Sequence, residues 1–128
     1  HKSMGLTLAF LVLVRLFWKL ISESPPLPDD VTPIQKIAAV STHHLLYLMM
    51  FIQPITGYIS SSFSGYKTKF WGIPLPHWGW KSPELNQLFT TIHDISAVIF
   101  GLLILLHISG AIYHIQKKQF HLFKRMWF

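Results

Sequence analysis

The 128-residue chain contains no cysteine, which removes disulfides, thiolate metal sites, iron–sulfur clusters and covalent c-type haem attachment. Charge is the second scarcity. Charged residues make up 12% of the chain against 51% hydrophobic ones, and that is about half the charged share of an average soluble domain. A soluble protein this small has a large surface for its volume and needs charge to stay dissolved. The deficit points to a membrane protein. The chain also lacks a P-loop, G-x-G-x-x-G, G-x-S-x-G and H-E-x-x-H, the common signatures of nucleotide binding and hydrolysis. No basic stretch with a cleavage site precedes the first apolar run, and the sequence opens at His1-Lys2-Ser3 without an initiator Met. We expect a fragment whose beginning lies upstream, forming at most one domain over residues 1–128.

The formal net charge of +6 does not make the chain a nucleic-acid binder. Such proteins carry their basic residues on a polar surface, whereas here Lys and Arg flank long apolar runs. Aromatic content of 15%, with five Trp, suits anchoring at two membrane interfaces. The expected partner is therefore the lipid bilayer.

Three segments are expected to cross it, since a hydrocarbon core needs about 20 mostly apolar residues. They are residues 4–20, ending in Arg15, Trp18 and Lys19; 37–59, with Pro54 and Gly57 near its end; and 92–115, uncharged from Ile95 to Ile115. Arg15 and Lys19 sit where long basic side chains snorkel to an interface. The connection Ser24-Pro25-Pro26-Leu27-Pro28-Asp29-Asp30 is too proline-rich for a helix. Residues 60–86 hold Phe70-Trp71-Gly72 and Pro76-His77-Trp78-Gly79-Trp80, the composition of a cap lying on lipid headgroups. Arg15, Lys19, Lys36, Lys117, Lys118, Lys124 and Arg125 fall on one side, and Lys2, Lys67, Lys69 and Lys81 on the other. The positive-inside rule places the linker and C-terminus in the cytoplasm and the aromatic loop outside.

Five of the eight histidines (His43, His44, His93, His107 and His114) lie in or at the ends of the second and third spans. An ionisable residue within a membrane is costly and marks a functional site by default. His93 and His107 are fourteen residues apart, which returns them to nearly one helix face about 21 Å apart along the axis. In an antiparallel arrangement His1 matches the depth of His93, and His43 that of His107. Histidines of facing helices at one depth, with no Cys alternative, are the donor set of six-coordinate haem b. The bland alternative is a histidine bonded to a backbone carbonyl across a helix interface. For His43, contact with a haem or quinone is as good a reading as ligation. His44 should face elsewhere, His114 should meet the interface or a propionate, and His77 and His121 should be solvated.

These residues also resemble a family. His1-Lys2-Ser3-x-Gly5 followed by Arg15-Leu16-x-Trp18 is similar to the second membrane helix of the bacterial cytochrome b561 family. His43, Tyr47 and Pro54-x-Thr56-Gly57-Tyr58 resemble the third helix. His93-Asp94, Leu106-His107, His114 and Arg125-Met126 resemble the fourth and its cytoplasmic tail, although Phe120 stands where the family commonly has Asp. The resemblance implies an all-α membrane protein, three transmembrane helices of an up-and-down four-helix haem-binding bundle. It implies two b haems: His1 and His93 hold the outer iron, while His107 holds the inner one with a ligand from the family's first helix, or from His43. Arg15 would meet a propionate or a quinone oxygen. The implied activity is quinone-linked electron transfer in the bacterial inner membrane, from a small anionic donor such as superoxide, or a redox partner protein, to ubiquinone. Two alternatives stay open: a haem b anchor relaying electrons for a dehydrogenase or hydrogenase, and a haem-free protein using histidines for metal ions or protons.

Overall fold

The computed structural model describes residues 1–22 and 31–117; the proline linker and the tail with Lys118, Phe120, His121, Lys124 and Arg125 lie outside the described residues. Three helices, α1 (Lys2–Ile21), α2 (Pro33–Phe63) and α3 (Pro83–Gln116), run antiparallel in sequence order, with a two-residue-per-strand hairpin, β1 (Lys69–Phe70) and β2 (Ile73–Pro74), between α2 and α3.

Two of the helices are longer than apolar periodicity alone predicts, and the reason is capping. Thr32 accepts from the Gln35 amide while the Gln35 side chain accepts from the Thr32 amide, a reciprocal box in front of Pro33. Ser82 accepts from Leu85, with Pro83 in the first turn. Pro at that position loses no bond, because the first amides of a helix have no partner within it. The loop expected over 60–86 therefore shrinks to 64–82. At 34 residues α3 is about 50 Å long, well beyond an apolar core of about 30 Å.

By length and composition α1 and α3 qualify as membrane spans, with mean hydropathy 1.9 and 2.4. The expected third crossing, α2, has the length but less apolar content. It carries His43, His44, Gln53, Thr56 and the Ser60–Ser62 run, and much of this polar set faces the other helices. Among the described residues only Val31, Leu46 and Phe63 are buried hydrophobics, while Phe10, Leu20, Val98 and Leu102 are all more than 60% exposed. Such faces are stable in lipid, where apolar side chains need no protein cover.

α2 and α3 pack along one another; α1 leans on α2 and on the hairpin. Paired contacts fix the register: Ser60 bonds Thr90 (2.8 Å), Gln53 bonds Ser96 (2.9 Å) and His43 meets His107. The most buried side chains, Ser62 and Thr68, lie at the end of the bundle beneath the α2–α3 loop. There Phe63 stacks on Phe89 (6.2 Å between ring centres) and takes the edges of Trp78 and Trp80 (5.8 and 5.5 Å). The hairpin turns through Trp71 (φ 47°) and Gly72 (φ 94°), two left-handed positions whose twist matches that of the strands. Gly72 adopts this freely. Trp71 is held there by its amide bond to Ser3 (3.1 Å) and its indole bond to Thr7 (3.2 Å).

Replacing Phe63 by Ala removes the centre of the aromatic cluster and should destabilise the outer end by about 3–5 kcal/mol. Thermal unfolding in detergent, followed by near-ultraviolet circular dichroism, checks this, and an unchanged midpoint would contradict it.

Candidate functional site

The end of the bundle that carries the hairpin brings His1 and His93 together. His1 caps α1, and the start of that helix is pinned by three bonds. Lys2 donates to Ser61 (2.8 Å), Ser3 donates to the Lys69 carbonyl (3.2 Å), and the Trp71 amide donates to Ser3. His93 lies ten residues into α3 and is half-buried. The ring centres are 6.0 Å apart with the planes 79° from parallel. Between them opens a pocket of about 260 Å³. Its apolar wall includes Leu6, Pro54 and Gly57; its polar end includes Lys2, Ser61, Thr68 and Asn86.

His93 is oriented by α2. Its Nδ1 lies 3.0 Å from the Gln53 carbonyl and 3.2 Å from the Thr56 hydroxyl. A carbonyl only accepts, and the Thr56 hydroxyl has a better acceptor of its own in the Ile52 carbonyl at 2.7 Å. Nδ1 therefore carries the proton and donates to Gln53, which leaves the Nε2 lone pair free. The ring lies so close to α2 that a Cβ on Gly57 would sit 3.0 Å from Cε1 and 3.2 Å from Nδ1. The Gln53 side chain completes the frame by donating to the His93 carbonyl (3.1 Å) and to Ser96.

The spacing fits a metal held between two rings. With metal–nitrogen bonds of about 2 Å, two imidazoles on opposite sides of one ion have centres about 6 Å apart. A porphyrin supplies the other four donors, and the pocket's division into an apolar wall and a polar, cationic end matches a macrocycle bearing two carboxylates. Among the described residues no cluster of three or more His, Asp or Glu could enclose a bare ion, so the pair suits a group that brings most of its own donors.

The model of the prokaryotic cytochrome b561 family matches residues 1–128. The chain belongs to this family. It is 37% identical over 73 residues to "Cytochrome b561 homolog 2" of Escherichia coli (strain K12), a match that takes in 56% of this chain and 38% of that relative. The chain thus matches well under two thirds of the relative's length. The family is one of helical bacterial membrane proteins that bind haem b, as the histidine pattern and apolar runs led us to expect.

The second histidine pair of this cytochrome is arranged differently. His43 and His107 do meet, with centres 5.3 Å apart and planes at 62°. That is direct ring contact, closer than the spacing across an axial metal. Arg15 is exposed on α1 and joins neither pair. One turn further on, Lys19 places its ammonium 4.7 Å from the centre of the Tyr47 ring, tying the C-terminal end of α1 to α2. His44 is exposed and bonds the Val40 carbonyl of its own helix (2.8 Å), as expected of a histidine facing elsewhere. His114 is half-buried near the C-terminal end of α3.

His77 differs from expectation. It is half-buried rather than simply solvated, because its Nε2 accepts from the buried Thr68 amide (2.7 Å) and lies 3.1 Å from the Thr68 hydroxyl. Thr68 in turn bonds Ser61, the acceptor of Lys2. The loop histidine is therefore the outermost support of the wall against which α1 is fixed. Composition showed a polar loop residue and carried no signal of this contact. Thr56 and Gly57 were legible as part of a motif but not as a frame for His93, and Gln53 carried no signal.

Substituting His77 by Ala leaves the Thr68 amide buried without an acceptor, a loss of about 1–3 kcal/mol. Hydrogen exchange should become faster at Thr68 and in the hairpin, while amides in the middle of α3 keep their protection. Unchanged exchange at Thr68 would show that His77 supports nothing.

Proposed function

We propose that this chain forms the haem-bearing centre of a di-haem b cytochrome that carries electrons across the bacterial inner membrane, from a small anionic donor or redox partner outside to ubiquinone. The observation that carries the reading is the His1–His93 pair: two imidazoles on different helices, at one depth, at the spacing of trans axial ligands and flanking an amphipathic pocket. Haem b supplies a one-electron couple that needs no open coordination position. The chain's own residues do the rest. His93 offers Nε2 because Gln53 holds Nδ1, His1 approaches because Lys2 and Ser3 are anchored, and Lys2 at the polar end of the pocket faces the region suited to carboxylates.

His107 marks a second level about 21 Å further in. The ring contact with His43 favours His43 as a neighbour of that site, with the opposite ligand coming from the family's remaining helix. Lys67 and Lys81 line an outward-facing depression at the cap, and with Lys2 and Lys69 they give the outer end a positive potential that attracts anions. The excess of basic residues at the other end supports a cytoplasmic C-terminus. The exposed aromatic residues of the cap, Tyr66, Trp71, Trp78 and Trp80, suit the headgroup region.

Changing His93 to Ala in the intact protein should lower the b-type absorbance of the reduced-minus-oxidised spectrum by about half, with the remainder keeping its own midpoint potential. Changing His107 should remove the complementary half. A spectrum without sharp b-type bands in the unmodified protein would end the haem reading, and loss of both signals in either variant would contradict two separate sites.

A further inference from the structure

The α2 turn beneath His93 has a closeness that packing alone does not require. Three features of the turn Gln53–Gly57 act on one ring. The Gln53 carbonyl accepts from Nδ1, the Thr56 hydroxyl lies alongside at 3.2 Å, and Gly57 offers a surface with no side chain, against which Cε1 and Nδ1 rest. Pro54 sits within the same turn and has no amide to give, so the helix lacks one rung of its own ladder here. Such a turn holds an imidazole by backbone, and backbone cannot change rotamer.

We propose that Gly57 is a positioning residue for the outer haem ligand, and that the bare turn it creates tunes the outer reduction potential through the Nδ1–H to Gln53 carbonyl bond. This rests on the reading of His93 as an axial ligand and extends it to a residue that touches neither iron nor donor. Partial transfer of the Nδ1 proton toward a carbonyl makes the imidazole a stronger donor, which stabilises the oxidised iron and lowers its potential. A methyl group at position 57 pushes the ring outward by a few tenths of an ångström, because 3.0 Å is closer than ordinary carbon contacts. The Nδ1 bond, already 3.0 Å, lengthens and weakens. The pair around His107 lies further along the bundle, His43 ten residues before Gln53 on α2 and His107 fourteen after His93 on α3, and acts as an internal reference.

Two readouts on the intact protein in lipid nanodiscs test this. Redox titration of Gly57→Ala should show the outer haem's potential moved upward while the inner one stays in place; Thr56→Val, which removes no acceptor that Nδ1 needs, should move it less. Equal potentials in Gly57→Ala and the unmodified protein would overturn the proposal. Nitrogen-15 NMR of the haem-free protein gives a readout independent of cofactor loading. His93 should be protonated at Nδ1, and its Nδ1–H signal should shift in Gly57→Ala. Protonation at Nε2 would overturn the frame even where haem binds, whereas an intact Nδ1 signal in a protein that takes up no haem would leave the frame standing and end the ligand reading.

Discussion

His93 faces His1 with the back of its ring resting against a bare turn of α2. The rest of the outer site depends on that contact. A bulkier residue at position 57 would force the imidazole toward α1, and without an acceptor at Nδ1 nothing would fix which nitrogen stays free. Opposite it, α1 is held by bonds rather than by a packed interface. Lys2 reaches Ser61, Ser3 reaches the hairpin and Trp71 reaches Thr7. His93 is thus supported by α2, and His1 by α2 and the hairpin together. The gap left between α1 and α3 is the pocket of about 260 Å³ that His1 and His93 line.

The polar residues of α2 explain how this is reconciled with a membrane. Gln53, Thr56, Ser60 and Ser61 would each be costly facing lipid. In the fold they bond Ser96, the Ile52 carbonyl, Thr90 and Lys2, and among the described residues no buried side-chain polar atom lacks a partner. The helix that reads as least apolar is therefore the central one, and its polarity builds the site. The two helices that read as most apolar, α1 and α3, supply the histidines that face each other.

Much of this was legible in the residues. The helical class, the antiparallel order and the depth-matched histidines followed from apolar runs and from a fourteen-residue spacing that nearly closes four helical turns. Helix ends were harder. Thr32-Pro33 and Ser82-Pro83 are start signals lying outside the apolar runs, so hydropathy placed both starts too late. The roles of Gln53, Gly57 and His77 were hidden for another reason. Each arises from a contact between elements, and single-chain spacing records which face a residue occupies but not what meets it there. His43 illustrates the same limit, since depth matching brought it to His107 and only coordinates showed the rings in contact.

The central claim is that His1 and His93, whose ring planes stand 79° apart, would hold one haem iron between them. Electron paramagnetic resonance of the oxidised protein tests it directly, because crossed axial imidazole planes leave two iron orbitals almost equal in energy and parallel planes separate them. The 79° between His1 and His93 predicts a strongly anisotropic low-spin signal from the outer haem. From that haem, a high-spin signal, or a rhombic low-spin signal of the kind parallel rings produce, would contradict the account.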